Sequence, residues 1–151
     1  RAREIGALGG DKLKNIKKKT VSLQQKVKTL YDTLKDYRDA KGRQLSLIFL
    51  KLPSKHEYPD YYDIIKRPMD LQTVEENLRA HVYKRNVNQF ALDVRLIWAN
   101  SLRYNTDTSS DIYHYTQEMS RLFEKLFMIH SLFGCLSPNI LTVLSPVGQT
   151  L

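Results

Sequence analysis

Four stretches of the chain carry apolar residues at helical spacing, and a connection of 27 residues, from about Gly42 to Pro68, separates the first from the second. In the first stretch Leu23, Val27, Leu30, Leu34 and Tyr37 recur three or four residues apart, which sets one stripe of a helix against a core. Gly42 is the expected end of that helix. A second helix is expected to begin with Asp70 as N-cap, because a carboxylate there accepts from the free N–H groups of the first turn. Leu71, Val74 and Leu78 mark its buried face. The third runs from about Val87 to Tyr104, with Phe90, Val94, Ile97 and Ser101 on one stripe and Trp98 beside it. Thr108 and Asp111 stand at capping-box spacing before the fourth, whose stripe is Ile112, Tyr115, Met119, Leu122, Phe123 and Leu126. No hairpin or βαβ pattern competes. The chain therefore reads as all-α, an antiparallel four-helix bundle with the long connection crossing one end.

A connection of that length inside a compact domain is uncommon and usually functional. This one contains Pro59-Asp60-Tyr61-Tyr62-Asp63-Ile64-Ile65-Lys66-Arg67-Pro68-Met69-Asp70. Each proline fixes its own φ and turns the preceding residue away from helix, so the run reads as a stiff loop folded over its own side chains. Tyr104-Asn105 closes the third helix and offers one amide. The bundle brings the two segments to one end, which suggests a pocket rather than a catalytic centre.

Bulk properties narrow the class. At 151 residues there is room for one domain with a substantial core, and 42% hydrophobic with 26% charged residues is ordinary for a soluble globular protein. The single Cys135 excludes an intramolecular disulfide framework, and the basic, polar N-terminus has no secretory pattern, so a reducing intracellular compartment is expected. The net charge of +8 is uneven: residues 1–28 hold nine Lys/Arg against Glu4 and Asp11, and the remainder carries only +1. Residues 1–20 are expected to form a flexible basic arm. Such an arm can contact phosphates, contribute to a nuclear localisation signal, or serve as a solvated linker.

The run Gly42-Arg43-Gln44-Leu45-Ser46, then Phe49-Leu50-Lys51-Leu52-Pro53-Ser54, the Pro59 to Asp70 segment, and Asn100 through Tyr104-Asn105 resemble a bromodomain in order and spacing. They are most similar to the bromodomains of polybromo and of the SWI/SNF-type remodelling ATPases. The resemblance covers about residues 21–131. It implies a left-handed four-helix bundle whose long first connection and third interhelical loop form a pocket for acetylated lysine, in a nuclear protein that regulates chromatin or transcription. Acetylated histone peptides and other subunits of a chromatin complex are the implied partners.

Acetylation removes the lysine charge and leaves a neutral amide on an aliphatic stem, which calls for a narrow apolar slot with one donor at its base. By the resemblance, Asn105 is that donor. Tyr61 reaches the acetyl carbonyl through an ordered water, Phe49 packs on the acetyl methyl, and Leu52, Tyr58 and Tyr104 wall the slot. Ile112 takes the gatekeeper position at the start of the last helix. The chain departs from the common Trp-Pro-Phe pattern, having Leu47-Ile48-Phe49, so the aromatic shelf beside the slot is expected to be missing. The loop after Asn105 also lacks the proline often found there.

Ordinary roles compete for several of these residues. An Asn at a helix C-terminus is usually a turn residue tolerant of left-handed φ. Tyr62, Ile64, Ile65, Trp98 and Met119 are expected in the core, and Asn100 to act as a cap or to tie the long loop to the third helix. Asp60 and Glu57 either attract basic tails or are simply solvated. His56, His81, His114 and His130 are scattered without metal-ligand spacing, and no phosphate-binding glycine loop or nucleophile elbow is present. No catalysis, metal or cofactor is expected, and the isolated domain is expected to be monomeric. The alternative is a helical nucleic-acid-binding domain acting through its basic N-terminal arm; both activities could coexist, with the arm on nucleosomal DNA. After Lys125 no charged residue follows, and Gly134, Pro138 and Pro146 should stop the last helix near Phe133. Residues 132–151 are expected to be disordered or loosely packed, being too interrupted for a membrane span of about twenty apolar residues.

Overall fold

A computed structural model describes residues 21–133, so the basic arm and all but the first two residues of the 132–151 tail lie outside the described residues. Five α-helices appear in order: α1 (Leu23–Asp36), α2 (Tyr61–Ile64), α3 (Leu71–Arg79), α4 (Val87–Tyr104) and α5 (Asp111–Phe133). A 3-10 turn spans Leu45–Phe49 within the α1–α2 connection. The four longer helices are the four read from the sequence. They form a bundle in which α4 packs on α5, α5 on α1, and α3 on both α1 and α4.

The stripes account for the core. Val27, Leu30, Tyr31 and Leu34 of α1 are buried with Leu71, Val74 and Leu78 of α3, Phe90, Val94, Ile97 and Trp98 of α4, and Met119, Leu122, Phe123 and Leu126 of α5. Leu23 departs from its expected stripe and is 45% exposed, because the first turn of α1 projects beside an open groove also lined by Phe90 and Phe127.

Helix ends follow side-chain hydrogen bonds. Ser22 caps α1 by accepting from the Gln25 N–H, and Asp70 caps α3 by accepting from the Thr73 N–H at 2.7 Å. Two expected boundaries are corrected. Helix α1 stops at Asp36, not at Gly42: Tyr37 turns to ψ 135°, and the freed Lys35 carbonyl accepts from the side chains of Gln44 (2.8 Å) and Ser46. Gly42, at φ +77°, instead makes the tight turn between the bridged residues Arg38 and Gln44. At the start of α5 the capping hydroxyl belongs to Ser110, which accepts from the Tyr113 N–H at 3.4 Å, rather than to Thr108. The preceding turn is organised by Asp107, whose carboxylate accepts from the Ser109 N–H, and this moves the cap two residues along.

The long connection is tied down along its length. The Tyr62 hydroxyl donates to the Pro53 carbonyl at 2.8 Å, and the Gln72 N–H donates to the Leu50 carbonyl at 3.1 Å. Buried Asn100 donates its side-chain amide to the Arg67 carbonyl at 2.7 Å, the tie expected for it. Ile65, Trp98 and Met119 are core residues and Tyr62 is half-buried. Ile64 is not in the core: Tyr61, at the start of the single-turn α2, and Ile65, the residue that ends it, are buried, while Ile64 between them is 38% exposed.

Candidate functional site

The end of the bundle crossed by the long connection holds a cavity of about 390 Å³, within the usual range for small-ligand pockets. One wall comes from the connection, with Phe49, Leu52, Tyr58 and Tyr61, and the opposite wall from the α4–α5 corner, with Tyr104, Asn105 and Ile112. All seven residues expected at the site line it. Sequence reasoning missed Lys51, Pro53, Met69, Ile97 and Ser101 as lining residues. Ile97 and Ser101 were legible only as a buried stripe; a cavity floor and a core have the same periodicity.

Asn105 caps α4 with φ −96° and ψ 88°, outside the left-handed region, so its backbone makes no demand for asparagine. Its side-chain Nδ2 donates to the Ser101 carbonyl at 3.0 Å and lies 3.5 Å from the Ser101 hydroxyl. One amide hydrogen is thereby held by the helix, and the group keeps a second N–H and its carbonyl oxygen. Ser101 is itself anchored. Its hydroxyl is 2.7 Å from that of fully buried Thr116, which donates to the Ile112 carbonyl at 2.7 Å. This chain links α4 to α5 directly beneath Asn105.

Phe49 is 6% exposed and meets Trp98 edge-on, with ring centroids 5.0 Å apart. Tyr61 packs edge-on against both Tyr62 and Tyr104, at 5.2 and 5.0 Å. Burial, then the neighbouring Tyr62, Asp70 and Tyr104, push the Tyr61 phenol above its ordinary pKa. The Tyr104 phenol is raised chiefly by its hydrogen bond to Asp60, which it reaches at 3.0 Å. Both phenols therefore remain O–H donors at neutral pH. Asp70 lines the cavity too, but both its oxygens are engaged: Oδ1 by the Thr73 N–H, Oδ2 by the Leu52 N–H at 2.9 Å. Ile48, 46% exposed, lines the cavity beside Leu47, 56% exposed, so an aliphatic edge stands next to Phe49.

An apolar slot with one anchored amide, protonated phenols and no free carboxylate on its wall is built to bind a neutral polar group. Residues 34–118 match the family model described as Bromodomain. The chain belongs to the bromodomain family. A bromodomain is a binding module rather than a catalytic fold. Among curated proteins this bromodomain is 35% identical over 102 residues to the chromatin structure-remodeling complex subunit rsc1 of Schizosaccharomyces pombe, covering 68% of this chain and 12% of that protein. It is 32% identical over 106 residues to subunit rsc4 of the same organism, covering 70% of this chain and 19% of that protein. The chain thus spans less than a fifth of either relative. Among solved structures it resembles the bromodomain of human BAZ1A, with a TM-score of 0.64 and 27% identity over 74% of this chain and 97% of that one.

Proposed function

We propose that this bromodomain is a chromatin reader that binds acetylated lysine in histone tails. The observation that carries the reading is the anchored Asn105 amide in the 390 Å³ apolar cavity. Its second N–H donates to the acetyl carbonyl, a water on the Tyr61 hydroxyl bridges to the same oxygen, and the acetyl methyl packs on Phe49. Leu52, Tyr58 and Tyr104 flank the aliphatic stem, and Ile112 guards the entrance. An unmodified ammonium would bring donors to a donor in a desolvated slot, at a loss of a few kcal/mol, roughly a hundredfold in affinity. Charge removal by acetylation is therefore the main discriminator. The small contact area implies dissociation constants of about micromolar to sub-millimolar.

The relatives named as subunits of chromatin structure-remodeling complexes support a place in such a complex in the nucleus, with its other subunits as partners. The basic arm, with seven Lys/Arg over residues 1–20, adds a salt-sensitive contact to nucleosomal DNA. The reading is tested by calorimetric titration of matched acetylated and unmodified histone peptides into the protein and its Asn105→Ala variant. Binding of the acetylated peptide alone, lost in the variant, is expected; unchanged binding in the variant overturns the assignment.

A further inference from the structure

One lining residue has no part in holding the acetyl group. Lys51 stands on the cavity wall, is exposed, and has no carboxylate within ion-pair distance among the described residues. The carboxylates nearest the acetyl slot are held by hydrogen bonds to neutral donors and none is paired with Lys51. Asp70 is buried with both oxygens bonded to N–H groups, and Asp60 accepts from the Tyr104 hydroxyl. Of the connection's other cations, Lys55 lies over the Tyr62 ring at 5.1 Å, outside the cavity lining. Lys51 is thus the one cationic side chain among the cavity-lining residues, and its ammonium is exposed, whereas the Asp70 carboxylate in the same lining is buried with both oxygens bonded.

An unpaired ammonium at the rim of an apolar slot acts on whatever flanks the inserted side chain. In an extended peptide the neighbouring residues lie about 3.4 Å further along per step, and a rim charge reaches one or two of them. We infer that Lys51 is a specificity-determining residue, and that the site selects an acetyl-lysine with an anionic side chain, a carboxylate or a phosphate, one or two residues away. The inference rests on the acetyl-lysine reading of the pocket and adds the chemistry of the flanking sequence. The pairing is solvent-exposed, so its effect is a modest ratio: about twofold to threefold between a flanking Glu and Gln at low salt, shrinking as ionic strength rises. A flanking Lys is disfavoured to a similar degree.

The test uses acetyl-lysine peptides differing only in one flanking residue, Glu, Gln, Lys or phosphoserine, placed in turn on each side of the mark. Fluorescence anisotropy is read at low and high salt with the parent protein, Lys51→Gln and Lys51→Glu. The expected order for the parent is phosphoserine, then Glu, then Gln, then Lys. Lys51→Gln should flatten that order and Lys51→Glu should reverse it. The same order in all three proteins overturns the inference. If the peptides bind equally, and Asn105→Ala abolishes that binding, the inference fails while the pocket reading stands. If no acetylated peptide binds, both fail together.

Discussion

Asp70 joins two parts of the molecule through one carboxylate, and its replacement by Ala is the sharpest test of how the cavity wall is held. Oδ1 accepts from the Thr73 N–H at 2.7 Å and caps α3; Oδ2 accepts from the Leu52 N–H at 2.9 Å and fixes a cavity-lining segment 18 residues earlier. The residue is 8% exposed, so water cannot easily replace either bond. A hydrogen bond to a charged group contributes about 1.5–3 kcal/mol, and a capping residue alone about 1 kcal/mol. Asp70→Ala should therefore cost about 3 kcal/mol, roughly 10–15 °C in melting temperature for a domain of this size. Ser22 supplies the comparison. It also caps a helix, but is exposed, bonds at 3.2 Å and, among the described residues, hydrogen-bonds only within its own helix, so Ser22→Ala should cost about 0.5–1 kcal/mol. Asp70→Asn should fall between, because an amide oxygen satisfies one N–H while its NH2 faces the other. Guanidinium denaturation of the three variants measures the differences. Equal losses for Asp70→Ala and Ser22→Ala would refute the idea that the carboxylate latches the connection.

Other outcomes follow from the same bonds. The Tyr83 hydroxyl is buried between Asn77 and Asp93, donating to the Asp93 carboxylate at 2.6 Å, so Tyr83→Phe should lose about 2 kcal/mol in chemical denaturation. The Tyr37 phenol is pushed up to about 12, first by burial and then by its bond to Glu118. A raised phenol favours the fold fully below the unfolded value near 10 and loses that contribution as pH climbs to about 12; Tyr37→Phe should flatten the fall in stability across that window, followed by far-UV circular dichroism. Deleting residues 1–20, which hold seven Lys/Arg, should lower the salt slope of DNA binding by several units in anisotropy titrations while leaving acetyl-peptide affinity intact.

The four long helices were legible because each buries one stripe, and a stripe is a local property of sequence. Asp70 as a cap was legible for the same reason, its bond to the Thr73 N–H lying within one helical turn. What escaped the sequence depends on contacts that reach beyond a single turn. The early end of α1 is set by Gln44 and Ser46 reaching back to Lys35, and no pattern near Tyr37 announces it. The pairing of Tyr83 with Asp93 buries a carboxylate that helix-surface reasoning counts as solvated. Lys51 and Met69 line the cavity only because the connection folds over on itself. The residues expected at the site came from an ordered set of motifs rather than from periodicity, which cannot tell a pocket wall from a core.

The central claim is that acetyl-lysine enters the cavity beside Asn105. Backbone amide shifts of the labelled protein, followed by NMR during titration with an acetylated and an unmodified histone peptide, test it most directly. The acetylated peptide should shift residues around Phe49, Tyr61, Met69 and Asn105 and leave the groove at the other end, around Leu23, Val87 and Phe127, unmoved. Shifts confined to that groove, or equal shifts from the unmodified peptide, would contradict it.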